Sequence, residues 1–257
     1  MIIKTYPVIF AGAGPGDPEL ITVKAQSAMK AADLIIYAGS LVPQAVLKWA
    51  DPKAELQNSA SMHLAQIVQE MITAHRAGKR VLRLHTGDPS LYGAIFEQMA
   101  ALDGESIPYT VIPGVTAAFA AAAALGIEYT LPEVSQTLIL TRMAGRTPVP
   151  ESEDLALLAR HKTSMAIYLS IGMVERVEAV LADAYGRDSV CAVVFRASQP
   201  DEKILVTKLK DLAKRVREEK ITRQAVIIVG KALNAKKNNI DKKSMLYDKN
   251  FKHEFRS

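Results

Sequence analysis

The chain has 257 residues, 49% of them hydrophobic and 23% charged, with a formal net charge of +5. This is an ordinary globular balance, too mildly basic for a nucleic-acid arm but suited to handling anionic ligands. The length lies where one core tends to divide into two domains, and the single cysteine, Cys191, excludes an internal disulfide.

In chain order, the first residues show no long apolar stretch and no small-residue cleavage site. A strand is predicted at 7–10. It runs into a loop, Gly12-Ala13-Gly14-Pro15-Gly16-Asp17-Pro18. The loop invites a dinucleotide reading that fails in detail. The third glycine of that fingerprint falls on Asp17, and the second strand, 34–37, ends in Tyr37-Ala38-Gly39-Ser40 with no ribose-binding acid. No Walker lysine follows either. Asp17-Pro18-Glu19 reads instead as a helix cap followed by proline.

Residues 61–77 are the clearest helix. Leu64, Ile67, Val68, Met71 and Ile72 recur at helical spacing, Ser61 is the expected cap and Gly78 the stop. An apolar strand at 81–84 then leads into His85-Thr86-Gly87-Asp88-Pro89. Gly87 allows close backbone approach to a ligand, and Asp88 offers an anionic acceptor. A fourth strand, 110–112, ends in a third such loop, Pro113-Gly114-Val115-Thr116. The long uncharged run from Ser106 to Ile127 is broken by Pro108, Pro113 and Gly114, so it reads as a buried strand, a loop and a buried Ala-rich helix, not a membrane span. Three Gly/Pro loops after strands of one sheet place a small-molecule site along one sheet edge.

Charge and proline return at 128–133, the expected domain boundary. The expected division is 1–128 for an N-terminal α/β domain, 134–235 for a C-terminal one, and 236–257 for a polar, basic tail. The second half carries strands at 137–141, 165–169, 190–195 and 226–229, with helices at 152–160, 172–185 and 208–219. The last of these is charged enough to read as a solvated face. Alternating strands and helices predict an α/β fold with a largely parallel first sheet. Arg142 and Arg146 sit on a Gly/Pro loop at a strand end, where two guanidinium groups suit a carboxylate clamp and a solvated loop is the plain alternative. Cys191, in an apolar run, reads as a small core residue in a reduced, cytoplasmic compartment. His63 and His75 have the wrong spacing for a shared metal, and no metal site is expected.

Together, Gly-x-Gly-Pro-Gly-Asp-Pro, Thr-Gly-Asp-Pro and Pro-Gly-Val-Thr-Ala resemble the class III S-adenosylmethionine methyltransferases of tetrapyrrole biosynthesis, over nearly the whole chain. Residues 37–43, 141–147 and the C-terminal stretch from Leu246 to Phe251 with His253 resemble the branch that methylates carbon 11 of precorrin-4 or cobalt-precorrin-4. The resemblance implies two αβα domains, a parallel and a mixed sheet, with the cofactor in a cleft between them and a homodimer. It implies S-adenosylmethionine as donor and S-adenosylhomocysteine as product. It assigns Pro15, Gly87, Asp88, Leu91, Thr116 and Ala117 to the cofactor, and Leu169, Ala197 and Ala225 to its adenosine. Ser40, Arg142 and Arg146, with Arg83 or Arg196 as further candidates, are assigned to an anionic tetrapyrrole. Ala38 stands where the uroporphyrinogen III branch has an aspartate, which favours a later pathway step. Neither nucleic acid nor membrane is expected as a partner. A same-fold enzyme for a diphthamide precursor or ribosomal RNA, and a non-catalytic nucleotide-binding regulator, are the alternatives.

Overall fold

The computed structural model describes residues 6–234 together with Ser244 and Phe251. The predicted tail 236–257, with the C-terminal motif, otherwise lies outside the described residues. Contacts divide the chain into two compact units. One runs to Ala120 and takes in Ala197–Pro200; the other comprises Ala121–Arg196 and resumes at Asp201. The division falls eight residues before the 128–133 segment.

The first unit is built on a parallel sheet of β1 (Val8–Gly12), β2 (Leu34–Tyr37), β3 (Glu55–Asn58), β4 (Val81–His85) and β5 (Tyr109–Ile112), in the order β3-β2-β4-β1-β5. Alternation along each strand sends side chains to two faces. On one face Val8, Phe10, Leu34, Ile36 and Val81 pack against α2 (Leu64–Arg76) and α3 (Phe96–Gly104). On the other, Ala11, Ile35, Leu82 and Leu84 pack against Ala25 and Met29 of α1 (Val23–Ala31). Burial on both faces explains why β2 reads as a continuous apolar run and β4 as one interrupted only by Arg83 and His85.

α2 begins later than predicted. Its cap is His63, which accepts from Gln66 N while the Gln66 side chain accepts from His63 N, a reciprocal capping box; Ser61 lies outside it. β5 is an edge strand with Thr110 and Val111 exposed, so the expected buried strand there is buried only at Ile112. The Ala-rich helix is α4 (Ala117–Leu125), and the division between the units falls inside it.

The second unit holds a mixed sheet of β6 (Leu138–Arg142), β7 (Ser164–Tyr168), β8 (Val190–Phe195), β9 (Lys203–Lys208) and β10 (Ala225–Val229), in the order β6-β7-β10-β8-β9. β6 and β7 are parallel; β10 is antiparallel to both β7 and β8, and β9 is antiparallel to β8. One core gathers Met165, Ile167, Cys191, Val193 and Ile227 with helices α5 (Leu155–Ala159), α6 (Val174–Tyr185) and α7 (Leu212–Glu218). α7 is amphipathic, not a wholly solvated element, because it buries Leu212, Ala213 and Val216. Cys191 is a core residue, and burial pushes its thiol up to about 12. Among the described residues, no helix is long and apolar enough to cross a membrane, and no group of His, Cys, Asp or Glu is placed to hold a metal.

Candidate functional site

Because the first sheet is parallel, β4, β1 and β5 are neighbours that end on the same edge. The three Gly/Pro loops therefore lie side by side, at the strand ends where open α/β sheets receive ligands. They are fastened to one another mainly through main chain. Gly87 N donates to Gly14 O (2.8 Å), and Gly14 N donates to Gly87 O (3.3 Å). Ala13 N donates to His85 O (2.7 Å). Asp88 closes the set, its Oδ2 accepting from Gly114 N (2.8 Å) and its Oδ1 from Ser90 N (2.8 Å). Each carboxylate oxygen keeps a further lone pair, so Asp88 both ties two loops and presents acceptor capacity.

The glycines serve different ends. A Cβ on Gly12 would collide with Gly87 O and lie 2.6 Å from Gly114 Cα; one on Gly114 would collide with the same carbonyl and lie 2.8 Å from Gly12 Cα. Both are demanded by loop-to-loop packing. Gly87 has φ +60, and a Cβ there would rest in ordinary contact with Thr116 at 3.7 Å. Its glycine is demanded by backbone conformation. Pro15 and Thr116 are buried and Leu91 is half-buried. Ser40 lies on the turn after β2, on the same sheet edge.

Sequence reading did not pick out Ser198 and Gln199. Ser198 Oγ accepts from Asp17 N (3.0 Å), and buried Gln199 donates from Nε2 to Pro15 O (3.2 Å). The segment 197–200 thus braces the first glycine loop. Ala197, assigned to adenosine, is buried in this segment. Remoteness in sequence hid the bracing by Ser198 and Gln199: 181 residues separate Asp17 from Ser198.

In the second unit the topology also gathers the candidates. β6, β7 and β8 finish, and β10 starts, on one edge, with Arg142 beside Tyr168 and Ala225 beside Phe195 in register. Chain leaves this edge through non-glycine residues in the left-handed region: Leu169 (φ 53), Arg196 (φ 48) and, before β10, Gln224 (φ 52). Such backbone is costly and concentrates at functional sites. Leu169 is 66% exposed, an unusual place for a strained leucine. Ala225 is buried within the helix-side core.

The arginines divide by role. Arg142 donates from Nη1 to Thr147 O (3.1 Å) and from Nη2 to Pro148 O (2.6 Å), so its guanidinium folds its own loop and does not present a free fork. Buried Ser170 holds the loop's other end, accepting from Met143 N (2.8 Å) and donating to Tyr168 O (2.6 Å). Arg146 is exposed at the loop's tip. Arg196 pairs with Asp201 (2.6 Å), an internal carboxylate. Arg83 is buried in the first unit.

Two small α/β units, one parallel and one mixed, with interlocked glycine loops at the strand ends, define the class. Residues 7–213 match the family of tetrapyrrole (corrin/porphyrin) methylases, and the chain belongs to that family. It is 51% identical, over 97% of its length and 95% of the relative's, to a cobalt-precorrin-4 C(11)-methyltransferase of Methanocaldococcus jannaschii. It is 50% identical, over 89% of its length and 91% of the relative's, to a precorrin-4 C(11)-methyltransferase of Pseudomonas aeruginosa. The X-ray structure of a cobalt precorrin-4 methyltransferase from cobalamin biosynthesis superimposes with a TM-score of 0.85 at 46% identity, covering 88% of this chain and 95% of that one.

Proposed function

We propose that this chain transfers a methyl group from S-adenosylmethionine to carbon 11 of precorrin-4 or cobalt-precorrin-4, in cobalamin biosynthesis. The observation that carries the reading is the interlocked set of loops at 12–18, 86–93 and 113–117. It lies in a chain half identical, over most of its length, to relatives named for that reaction. The two relatives, 51% and 50% identical over 97% and 89% of this chain, are named for substrates with and without cobalt, so the metal state of the tetrapyrrole is the question for experiment.

The residues of the first unit fit an amino acid joined to a nucleoside. Main-chain groups of three loops, the spare lone pairs of Asp88 and the buried hydroxyl of Thr116 are hydrogen-bonding partners for ammonium, carboxylate and ribose. We assign Pro15, Gly87, Asp88, Leu91, Thr116 and Ala117 to the donor, and Leu169, Ala197 and Ala225 to its adenosine. When bound, the donor supplies an activated methyl: the new carbon–carbon bond forms as the carbon–sulfur bond breaks and sulfur keeps the electron pair. What the protein must add is alignment of the attacking ring carbon and exclusion of water. A rigid cradle held by main-chain bonds suits that task, and no strong base is required of it. We assign Arg146, at the exposed tip of the loop after β6, and Ser40 to tetrapyrrole carboxylates, and Arg142 keeps the Arg146 loop in shape. The active form is a homodimer in the cytoplasm, with neither nucleic acid nor membrane as a partner.

Mass spectrometry of precorrin-4 and cobalt-precorrin-4, each incubated with the protein and isotopically labelled S-adenosylmethionine, tests the reading. One labelled methyl at carbon 11 in at least one substrate is expected; no transfer to either overturns it. Asp88→Ala is expected to weaken binding of the donor in calorimetry, and unchanged affinity would remove Asp88 from the site.

A further inference from the structure

Arg83 and His85 are two residues apart on β4, so both point to the face of the first sheet covered by α2 and α3. Each is only 5% exposed. Arg83 donates from Nε to Gln98 Oε1 (3.3 Å) and from Nη1 to Ile36 O (3.2 Å). Both acceptors are neutral, and among the described residues no carboxylate pairs with this guanidinium. Among the described residues its Nη2 makes no hydrogen bond. His85 stands tilted against Phe10, ring centres 6.1 Å apart, and its buried Nε2 has no hydrogen-bond partner among the described residues. Among the described residues the guanidinium thus has only neutral partners and the imidazole Nε2 has none, at the carboxyl end of a central strand, one residue before the Thr86-Gly87-Asp88 loop.

Burying a charge without a counter-ion is among the most costly arrangements a fold can keep. Burial brings Arg83 down to about 10, which still leaves it charged at neutral pH, and burial with the neighbouring Arg83 brings His85 down to about 3, which leaves it neutral. The neutral imidazole can carry its proton on Nε2 and donate it. Gln98 links the pair to the surface: its Nε2 donates to Ala94 O (2.9 Å). Ala94 is exposed, and it and Tyr92 hold left-handed backbone (φ 49 and 57), so strained chain lies directly beyond the pair. α3 opens from this loop with Phe96, 78% exposed.

We infer that Arg83 and His85 form a receiving point for one carboxylate of the substrate, with Nη2 of Arg83 and Nε2 of His85 as its donors and Gln98 coupling occupancy to the loop at 92–94. This rests on the reading of the substrate as a polycarboxylate macrocycle. The site differs in kind from Arg146, since a buried cation discriminates strongly against a substrate that brings no anion, whereas an exposed one does not.

The test uses the full chain labelled with nitrogen-15 histidine, and uroporphyrin, a stable octacarboxylate porphyrin, as probe. The His85 ring resonances, identified by their loss in His85→Gln, are expected to move when the porphyrin is added. Arg83→Met is expected to weaken porphyrin binding at least tenfold by fluorescence, with the S-adenosylhomocysteine affinity unchanged, and Arg83→Lys to recover part of it. Porphyrin binding with unmoved His85 resonances, or wild-type affinity in Arg83→Met, overturns the inference. The resonance experiment needs no folded variant of Arg83. Methyl transfer to precorrin-4 is scored separately: transfer with silent His85 resonances defeats this inference alone, and absence of both transfer and porphyrin binding defeats the functional reading with it.

Discussion

The strand ends of the two units solve the same problem in opposite ways. In the first, backbone segments press together, and the sequence removes side chains to let them: Gly12, Gly87 and Gly114 meet where Cβ atoms would collide or φ turns positive. In the second, the chain turns just as sharply but keeps its side chains, so Leu169, Arg196 and Gln224 take left-handed backbone despite the steric cost. The first device yields a rigid surface made of main chain. The second yields a strained support that displays Leu169, while Arg196 and Gln224 stay half-buried. A binding surface built the first way reads the shape and polarity of what it holds; one built the second way carries replaceable chemistry.

The largest effect that would break this comparison is at the packed glycines. Gly114→Ala drives a methyl group into Gly87 O and Gly12, and is expected to destabilise the first unit by about 3 kcal/mol or more in urea unfolding. A loss under about 1 kcal/mol would mean that the loops are not tightly apposed.

Next comes the buried pair on β4. His85 is held near pKa 3 against an ordinary 6.5. Above pH 6.5 neither folded nor unfolded chain is protonated there. Between 6.5 and about 3 the unfolded chain takes up a proton that the folded chain refuses, so stability falls as pH falls, by up to about 1.4 kcal/mol per pH unit. Unfolding at pH 6.5 and pH 5 is expected to differ by about 2 kcal/mol more in the natural protein than in His85→Gln. Equal pH slopes would show that His85 is solvated.

Leu169→Gly sharpens the other side. It relieves about 1 kcal/mol of backbone strain and gives back most of it through a freer unfolded chain, so stability should change by less than about 1 kcal/mol. A larger loss would mean that the leucine is packed, not displayed. The smallest stability effect is expected for Arg146→Ala, within about 0.5 kcal/mol as for an exposed loop residue. Its consequence should be a raised KM for the tetrapyrrole with donor affinity unchanged; equal loss of both would remove it from substrate binding.

What the sequence made legible follows from the same physics. The strands buried on both faces announce themselves through apolar residues, 34–37 without a break and 81–85 around Arg83 and His85. β3 escaped notice because Glu55-Leu56-Gln57-Asn58 is an edge strand with three of its four residues exposed. β9 also lies on an edge and exposes Ile204 and Val206, yet Ile204-Leu205-Val206-Thr207, with three β-branched residues in four, could have been read as a strand. The interlocked loops were legible because the requirement for glycine is local. The bracing by Ser198 and Gln199 was not, because it depends on a tertiary contact. The spacing of Arg142 and Arg146 showed two guanidiniums on one loop, but only coordinates could show that the first folds the loop for the second.

The mutual hydrogen bonds of Gly14 and Gly87 have a consequence for how such a chain can change through descent. Segments more than seventy positions apart are stitched by atoms common to every amino acid, so substitution elsewhere in either loop leaves the stitches untouched. The cradle can be inherited whole while its surroundings diverge. The proposed substrate contacts then direct a designer seeking a new acceptor molecule to the Arg146 loop and the Arg83 neighbourhood, and away from the stitched turns.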